Sequence, residues 1–236
     1  MIIEGNKNEL QQNEDWKIAR MGRFSCSQLS RLMADAKRDM TPDELANRPP
    51  KSTAKTIVDP VLLSTGAITY IEECISEKLT GMPAKEEFTN YAMQWGIDNE
   101  PIAANIYASV FECELTETGY IPYMENYGGS PDRLVDQDGG IEIKCPSRPV
   151  HLKYKLMKTV ADLKDIAPDY YWQILGYLII TDRKWFDFVS YNPYYPGKYQ
   201  MVRLRVNRED VLSDIQLSLI KIISATEKLN LILNSI

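Results

Sequence analysis

Gly128-Gly129-Ser130-Pro131-Asp132-Arg133-Leu134-Val135 and, after a short acidic turn, Ile141-Glu142-Ile143-Lys144-Cys145-Pro146 decide how the rest of this chain is read. Apolar Leu134, Val135, Ile141 and Ile143 flank Asp136-Gln137-Asp138-Gly139-Gly140, the pattern of two strands joined by a tight hairpin. Side chains alternate across a strand, so Glu142 and Lys144 share one face while Ile141 and Ile143 share the other. A carboxylate and an ammonium then project side by side from a strand whose opposite face is core. Asp132, at the far end of the partner strand, comes close enough to share a site with Glu142.

Mg2+ prefers hard oxygen ligands and keeps several waters, so two carboxylates and the backbone carbonyl of Ile143 are a sufficient protein contribution. Such an ion lowers the pKa of a bound water and offsets charge on phosphoryl oxygens, and a nearby lysine can position or deprotonate that water. Bound cations and partial burial would favour the neutral form of Lys144. This is the chemistry of phosphodiester hydrolysis. The same residues also suit a surface hairpin with a solvated Glu142 and Lys144 pattern and Asp132 as a turn former after Pro131. Taken alone, the hairpin leaves both readings open.

Other stretches have local readings of their own. Trp16 and Arg20 lie one helical turn apart, and Ser25 or Ser27 reads as an N-cap for a helix through Leu29 and Leu32. Equally, N–H groups at a helix N terminus, with a serine hydroxyl and an arginine nearby, make a phosphate site. Glu100 suits the first turn of a helix, with Pro101 at an early helical position. Gln173 lies in an apolar run through Ile180 and, if buried, needs hydrogen-bond partners. Tyr170, Tyr171 and Trp172 read first as core or interface aromatics.

In chain order, these blocks resemble the PD-(D/E)xK nuclease superfamily, in particular its phage lambda exonuclease and YqaJ-like branch. The run from Trp16 to Ser27 is similar to the opening motif of that branch, and Gly96-Ile97-Asp98-Asn99-Glu100 to its Gly-x-x-x-Glu helix. Gly-Ser-Pro-Asp and Glu142-Ile143-Lys144 resemble its active-site hairpin, Tyr170 to Tyr177 its Tyr and Gln helix, and Ser190-Tyr191-Asn192-Pro193 its Ser-Tyr-Asp-Pro strand end. The resemblance implies an α/β fold with a restriction-endonuclease-like core, a central mixed β-sheet flanked by helices. It implies that Asp132 and Glu142 bind Mg2+, with Mn2+ able to substitute and two ions expected, and that Glu100 and the Ile143 carbonyl complete the site. Lys144 would orient the attacking water, Gln173 would hold that water or Lys144, and Arg20 and Ser27 would hold a 5'-terminal phosphate.

The implied activity is 5'-to-3' exodeoxyribonuclease action on linear double-stranded DNA, leaving 3' overhangs for recombination. The implied partners are double-stranded DNA ends, a single-strand annealing protein and further copies of the chain in a ring-shaped trimer. The implied setting is a bacterial host cytosol, with a phage or prophage origin. An endonuclease of restriction or repair type on the same fold and a non-catalytic DNA-end binding module are the alternatives. The joint presence of Asp132, Glu142 and Lys144 argues against the second. Two departures stand out: a long, proline-rich segment over 35–64, and Asn192 where the pattern has Asp.

Composition sets limits. At 236 residues and 44% hydrophobic, the chain can bury one substantial core, and a single domain is expected. No run of eighteen apolar residues and no signal-like N terminus is present, so no membrane role and a cytosolic location are expected. The four cysteines are far apart without Cys-x-x-Cys, which disfavours a zinc site, a redox motif and the iron-sulphur nucleases. One histidine, His151, excludes histidine-rich metal sites; Gly129-Ser130-Pro131-Asp132 is not a nucleophile elbow, and no P-loop occurs. The net charge of −6 is unusual for a DNA-binding chain. Affinity depends on local charge, however, and Arg148, Lys153, Lys155, Lys158 and Lys164 come after the hairpin while Arg20, Arg23 and Arg31 cluster near the first motif.

The coarse pattern predicts one or two helices over 15–36, a loop over 40–55 with Pro42, Pro49 and Pro50, and a helix over 64–79 ending near Gly81. Phe88, Tyr91 and Trp95 share a helix face that Gly96 and Pro101 interrupt before Ile102, Ile106 and Tyr107. Strands are predicted over 119–123, 133–135 and 141–145, a helix over 170–180, and paired strands over 185–191 and 199–206. Asn207 then caps a long helix with Val211, Ile215, Leu219 and Ile222 inward.

Overall fold

The acidic hairpin lies within a five-stranded mixed sheet of the computed structural model, which describes residues 14–84 and 90–236. The described elements are α1 (Glu14–Arg20), β1 (Phe24–Ser25), α2 (Leu29–Met33), β2 (Ala36–Asp39), α3 (Pro42–Ala46), β3 (Thr56–Asp59), α4 (Thr65–Thr80), α5 (Tyr91–Phe111), β4 (Leu115–Thr116) and β5 (Ile121–Met124). They continue with β6 (Tyr127–Gly129), β7 (Arg133–Val135), β8 (Gly139–Lys144), α6 (Arg148–Leu156), α7 (Val160–Ile166), α8 (Pro168–Thr181), β9 (Trp185–Tyr191), β10 (Met201–Asn207) and α9 (Leu212–Leu233). The main sheet has the order β10-β9-β8-β7-β4, with β8 and β9 parallel and the other neighbours antiparallel. Antiparallel neighbours need only short turns, whereas the parallel step requires a crossover, here supplied by α6, α7 and α8. A smaller sheet, β1-β6-β5, lies under the N-terminal turn, and β2 pairs with β3 alone.

The sheet buries both faces. Phe186 and Phe188 on β9 join α2, α4, α8 and α9 in the larger core, while Ile141, Ile143 and Val189 pack against Ala103, Ala104 and Tyr107 of α5. Helix α8 is the centre of the larger core, with Ile174, Leu175 and Leu178 fully buried. It presses on the 3-10 turn Cys26–Gln28 at Gly176, where an added Cβ would lie 2.6 Å from the Tyr127 hydroxyl oxygen and 2.9 Å from Cys26 Cβ. Gly129 meets the same cysteine from β6, again at 2.9 Å from its Cβ. Among the described residues no helix is long and apolar enough to cross a membrane.

Three local expectations are corrected. The stretch 40–55 is not all loop: β2 and β3 pair on either side of it, and Thr41 and Glu44 form a capping box that starts α3. Arg38 ties this unit together, bonding Glu44 at 2.8 Å and Asp59 at 3.1 Å. Gly96 and Pro101 do not interrupt α5, which runs unbroken from an Asn90 cap. Burial of Ala103, Ala104 and Tyr107 on the sheet outweighs the one donor that proline lacks. Asn207 does not cap α9; a 3-10 turn, Arg208–Val211, intervenes, and the Asn207 amide donates to Asp210 instead. Phe88 and the segment 1–6 lie outside the described residues.

The tight crossing of α8 and the 26–28 turn predicts that Gly176→Ala destabilises the fold by about 1–3 kcal/mol through overpacking. Urea denaturation measures this, and an unchanged midpoint would mean that the turn is not pinned to the helix.

Candidate active site

Strand β8 divides its side chains as the alternation requires. Ile141 and Ile143 face α5, and Glu142 points the other way, toward α8, with no exposed surface. A carboxylate so placed needs charged and hydrogen-bonding partners. The Lys144 Nζ lies 2.5 Å from Glu142 Oε1, and Gln173 Nε2 donates to the same oxygen at 2.8 Å. Gln173 also donates to the Tyr177 hydroxyl at 2.6 Å, and Tyr177 donates to the Ser130 carbonyl at 3.1 Å. The second Glu142 oxygen, Oε2, is buried and has no hydrogen-bond partner among the described residues.

Asp132 is placed by the end of the ladder. The last β7–β8 pair is Arg133 with Ile141, and beyond it the Asp132 Oδ2 accepts from the Ile143 N–H at 2.6 Å. A residue's N–H and C=O leave a strand on the same edge, so the Ile143 carbonyl is turned to the Asp132 side as well. Burial pushes the Asp132 carboxyl well above the usual range, and the neighbouring Glu142 charge adds to this while Lys144 opposes it. Burial also pulls the Lys144 ammonium down, but the charges of Glu142 and Asp132 more than offset it and hold the group above an ordinary lysine. The carboxylates beside it therefore favour the ammonium form, whereas the neutral Lys144 expected from sequence belongs to a site that also holds cations.

Glu100 projects from α5 and is held by Arg133, whose Nη1 lies 3.3 Å from it and donates to the Asp132 carbonyl at 2.5 Å. Burial raises the Glu100 carboxyl, with Arg133 pulling the other way. Arg133 also pairs with Glu117 at 3.0 Å.

A cavity of about 160 Å3 joins two groups of residues. Asp132, Glu142, Lys144, Gln173 and Tyr177 line its acidic end, and Trp16, Arg20, Ser25, Ser27, Tyr120 and Ser130 line the other. The Arg20 guanidinium sits over Trp16 at 4.3 Å from the ring centroid, and Trp16 Nε1 donates to Ser130 Oγ at 2.7 Å. Ser25 holds the N-cap position of the 3-10 turn that leads into α2 but makes no side-chain cap bond, and Ser27 lies inside that turn, which corrects the expectation of a serine cap on α2 itself. Gln28 occupies the N-cap position of α2, and the two serine hydroxyls lie 3.0 Å apart.

The structure thus brings Asp132, Glu142, Lys144, Gln173, Arg20 and Ser27 around one space, while Glu100 stands outside it behind an ion pair. Tyr177, Ser130, Trp16 and Tyr120 join them there, although the sequence reading does not assign them to the site. Helical spacing could have found Tyr177, which lies one turn beyond Gln173. Of the two basic clusters, Arg31 is paired with Glu73 at 2.5 Å and Lys164 with Asp214 at 2.6 Å. The Asn192 departure has a clear basis: its amide donates to the Pro146 carbonyl at 2.9 Å and its oxygen accepts from Tyr194 N–H at 3.1 Å. An ionised aspartate could make only the second bond. Both ring nitrogens of His151 are engaged, with Ser190 Oγ at 2.8 Å and the Tyr199 carbonyl at 3.0 Å.

Among the described residues, no three Asp, Glu, His or Cys side chains converge on one point. Arg133 holds Glu100 away, and Lys144 and Gln173 hold one oxygen of Glu142. The remaining donors are a buried pair of carboxylates, an unpartnered Glu142 oxygen and the Ile143 edge of the strand. This set of hard oxygens fits a divalent cation such as Mg2+, which needs few protein ligands.

A family model described as the YqaJ-like viral recombinase domain matches residues 49–184. The chain is similar to the solved structure of an alkaline exonuclease (LHK-Exo) from Laribacter hongkongensis, at 26% identity and a TM-score of 0.68, with 94% of this chain and 97% of that one covered. The complex of LHK-Exo with dAMP aligns over the same shares at 27% identity and a TM-score of 0.68. A phage related exonuclease from Haemophilus somnus 129PT has the same fold, at 17% identity, a TM-score of 0.66 and coverage of 90% and 96%. No curated protein matches.

Lys144 is the direct counter-charge to a fully buried Glu142. Removing one member of such a pair costs about 3–5 kcal/mol, so Lys144→Met is expected to destabilise the fold by an amount toward the lower end of that range, since Lys144 is partly exposed. Adding Glu142→Gln should return most of it. A double-mutant cycle in urea checks this, and additive losses would show that the two groups do not compensate each other.

Proposed function

The chain belongs to the YqaJ-like viral recombinase domain family, and from that premise we propose that it is a phage-type exonuclease that removes nucleotides from the 5' end of linear duplex DNA. One observation carries the reading. The residues suited to a terminal phosphate and those suited to hydrolysis line the same cavity, so a strand held at one end by its phosphate has its next phosphodiester at the other. Cleavage there releases mononucleotides, and LHK-Exo, the similar alkaline exonuclease, has been captured with one, dAMP.

In this reading Arg20 donates to the 5' phosphate while keeping its stack on Trp16, and Ser27 donates its hydroxyl. Asp132, Glu142 and the Ile143 carbonyl would hold Mg2+, or Mn2+ in its place, and Glu100, if released by Arg133, would contribute to a second ion. The ion supplies a water that is nucleophilic at neutral pH and offsets charge on the phosphoryl group. Lys144 orients the attacking water as a donor, and Gln173, anchored on Tyr177, fixes Glu142 and the lysine beside it. The product is a 3' overhang passed to a single-strand annealing protein, and a ring of three copies around the duplex would keep the enzyme on its substrate. The proposed setting is the cytosol of a phage-carrying bacterium.

The test compares linear duplex with a 5' phosphate, the same duplex without it, and closed circular DNA, in Mg2+, in Mn2+ and in EDTA. Mononucleotides should appear only from linear DNA with a divalent cation, fastest with the 5' phosphate, and Lys144→Ala should abolish them. Arg20→Ala should remove the preference for the phosphorylated end, a loss of roughly 10–100-fold for a charge-assisted bond. Cutting of the closed circle would make the protein an endonuclease. Failure of the wild type to cut any substrate would leave a DNA-end binding module.

A further inference from the structure

The parallel strands β8 and β9 end side by side, with Lys144 level with Ser190. Beyond these ends the chain leaves the cavity, running from β8 to Arg148 at the start of α6 and from β9 into the turn 192–196. Asn192 fastens the two exits by its bond to the Pro146 carbonyl. On that fastened corner Tyr194 stands 68% exposed, an unusual position for an aromatic ring with no burial to gain. Its ring stacks on half-buried Trp95 of α5 at 5.5 Å between centroids and 12° between planes. The exposed Arg148 guanidinium lies 5.7 Å from the Tyr194 centroid.

We propose that Trp95 and Tyr194, with Arg148 beside them, form a platform on which an unpaired base of the DNA strand stacks as that strand passes to Lys144 and its carboxylates. This rests on the nuclease reading and adds a contact that the reading does not contain. The paired rings are already parallel and fixed, so a base adds to the stack without ordering a loose side chain. The Arg148 cation over the Tyr194 ring matches the phosphate that accompanies each base, the combination by which single strands are bound regardless of sequence. The position is also right: Trp95 lies on the helix that carries Glu100, whose neighbour Asn99 bonds the Trp95 carbonyl at 2.9 Å, and Arg148 is four residues beyond Lys144. Further along the same edge, Lys155 and Lys198 rest on Tyr199, which continues the pattern of ring and cation away from the site.

The competing role for these rings is to clasp α5 to the 192–196 turn and nothing more, and the experiment separates the two. The probe is a duplex with an unpaired 5' tail of aminopurine nucleotides, bound in Ca2+ so that it is retained, and read by aminopurine fluorescence and by equilibrium affinity. Stacking on the platform quenches the tail in the wild type. Tyr194→Phe keeps the ring and is expected to keep both quenching and affinity to within about twofold, whereas Tyr194→Leu, which keeps apolar bulk, is expected to lose the quenching and weaken binding about tenfold. Trp95→Leu should behave like Tyr194→Leu, and Arg148→Gln should weaken binding while leaving the quenching. Equal quenching and affinity in Tyr194→Leu and wild type would overturn the platform. That outcome leaves the nuclease reading standing, because the latter is judged by mononucleotide release from the same wild-type preparation in Mg2+.

Discussion

A carboxylate with no exposed surface in the middle of a sheet is the constraint on which the rest of this structure depends. Glu142 must be compensated where it stands, since burying an unpaired charge costs more than a domain's margin of stability allows. The compensation comes from two directions: Lys144 from its own strand, and Gln173 from α8, where Tyr177, one turn further on, fixes the glutamine. Lys144 and Gln173 satisfy one oxygen of Glu142, and the other is left without a bond. The site therefore carries a defect that a hard cation beside Asp132 would repair, and the fold has arranged that Glu142 faces a cavity rather than the core.

Helix α8 converts that local requirement into an architecture. The residues that face Glu142 are on the same helix as Gly176, which lets the 26–28 turn approach to contact. The spacing between the acidic residues and the Arg20 and Ser27 end of the cavity is consequently set by backbone packing, not by flexible loops. Glycine is required at 129 and 176 because both segments converge on Cys26, whose own burial pushes its thiol up to about 12 and leaves it an inert spacer. Geometry fixed in this way is what a reaction at a terminal phosphodiester demands, since small misplacements are costly.

Much of this is legible in the sequence, and the parts that are not share a cause. The alternation of Ile141, Glu142, Ile143 and Lys144 yields the two faces of β8 directly, because period two leaves no other arrangement. The ordered motifs point to the mixed sheet and to the company of Asp132, Gln173, Arg20 and Ser27. Local rules fail where a distant contact outweighs them: Pro101 is tolerated because α5 is held on the sheet, and Ser25 and Ser27 fall at a 3-10 turn that α8 compresses. The two buried carboxylates beside Lys144 favour its charged form, a pull that the sequence reading, built on bound cations, does not weigh. Arg133, the residue that restrains Glu100, carries no periodic signal at all, since its partners are 33 and 16 positions away.

The net charge of −6 says little about local fields, which depend on the partners the cations choose. Away from the site, arginines and lysines pair with carboxylates: Arg31 with Glu73, Arg38 with Glu44 and Asp59, Arg205 with the buried Asp187, Lys164 with Asp214. Arg20, Arg23, Arg148, Lys155 and Lys198 lie over aromatic rings, and the ion-paired Arg31, Lys164 and Arg205 do so as well. An ion pair cancels the field of its cation, whereas a ring holds the cation in place and leaves its charge intact. A cation held by a ring therefore keeps its field although the chain is acidic. Aromatic support places a cation without neutralising it, so a count of charged residues does not by itself describe the local field.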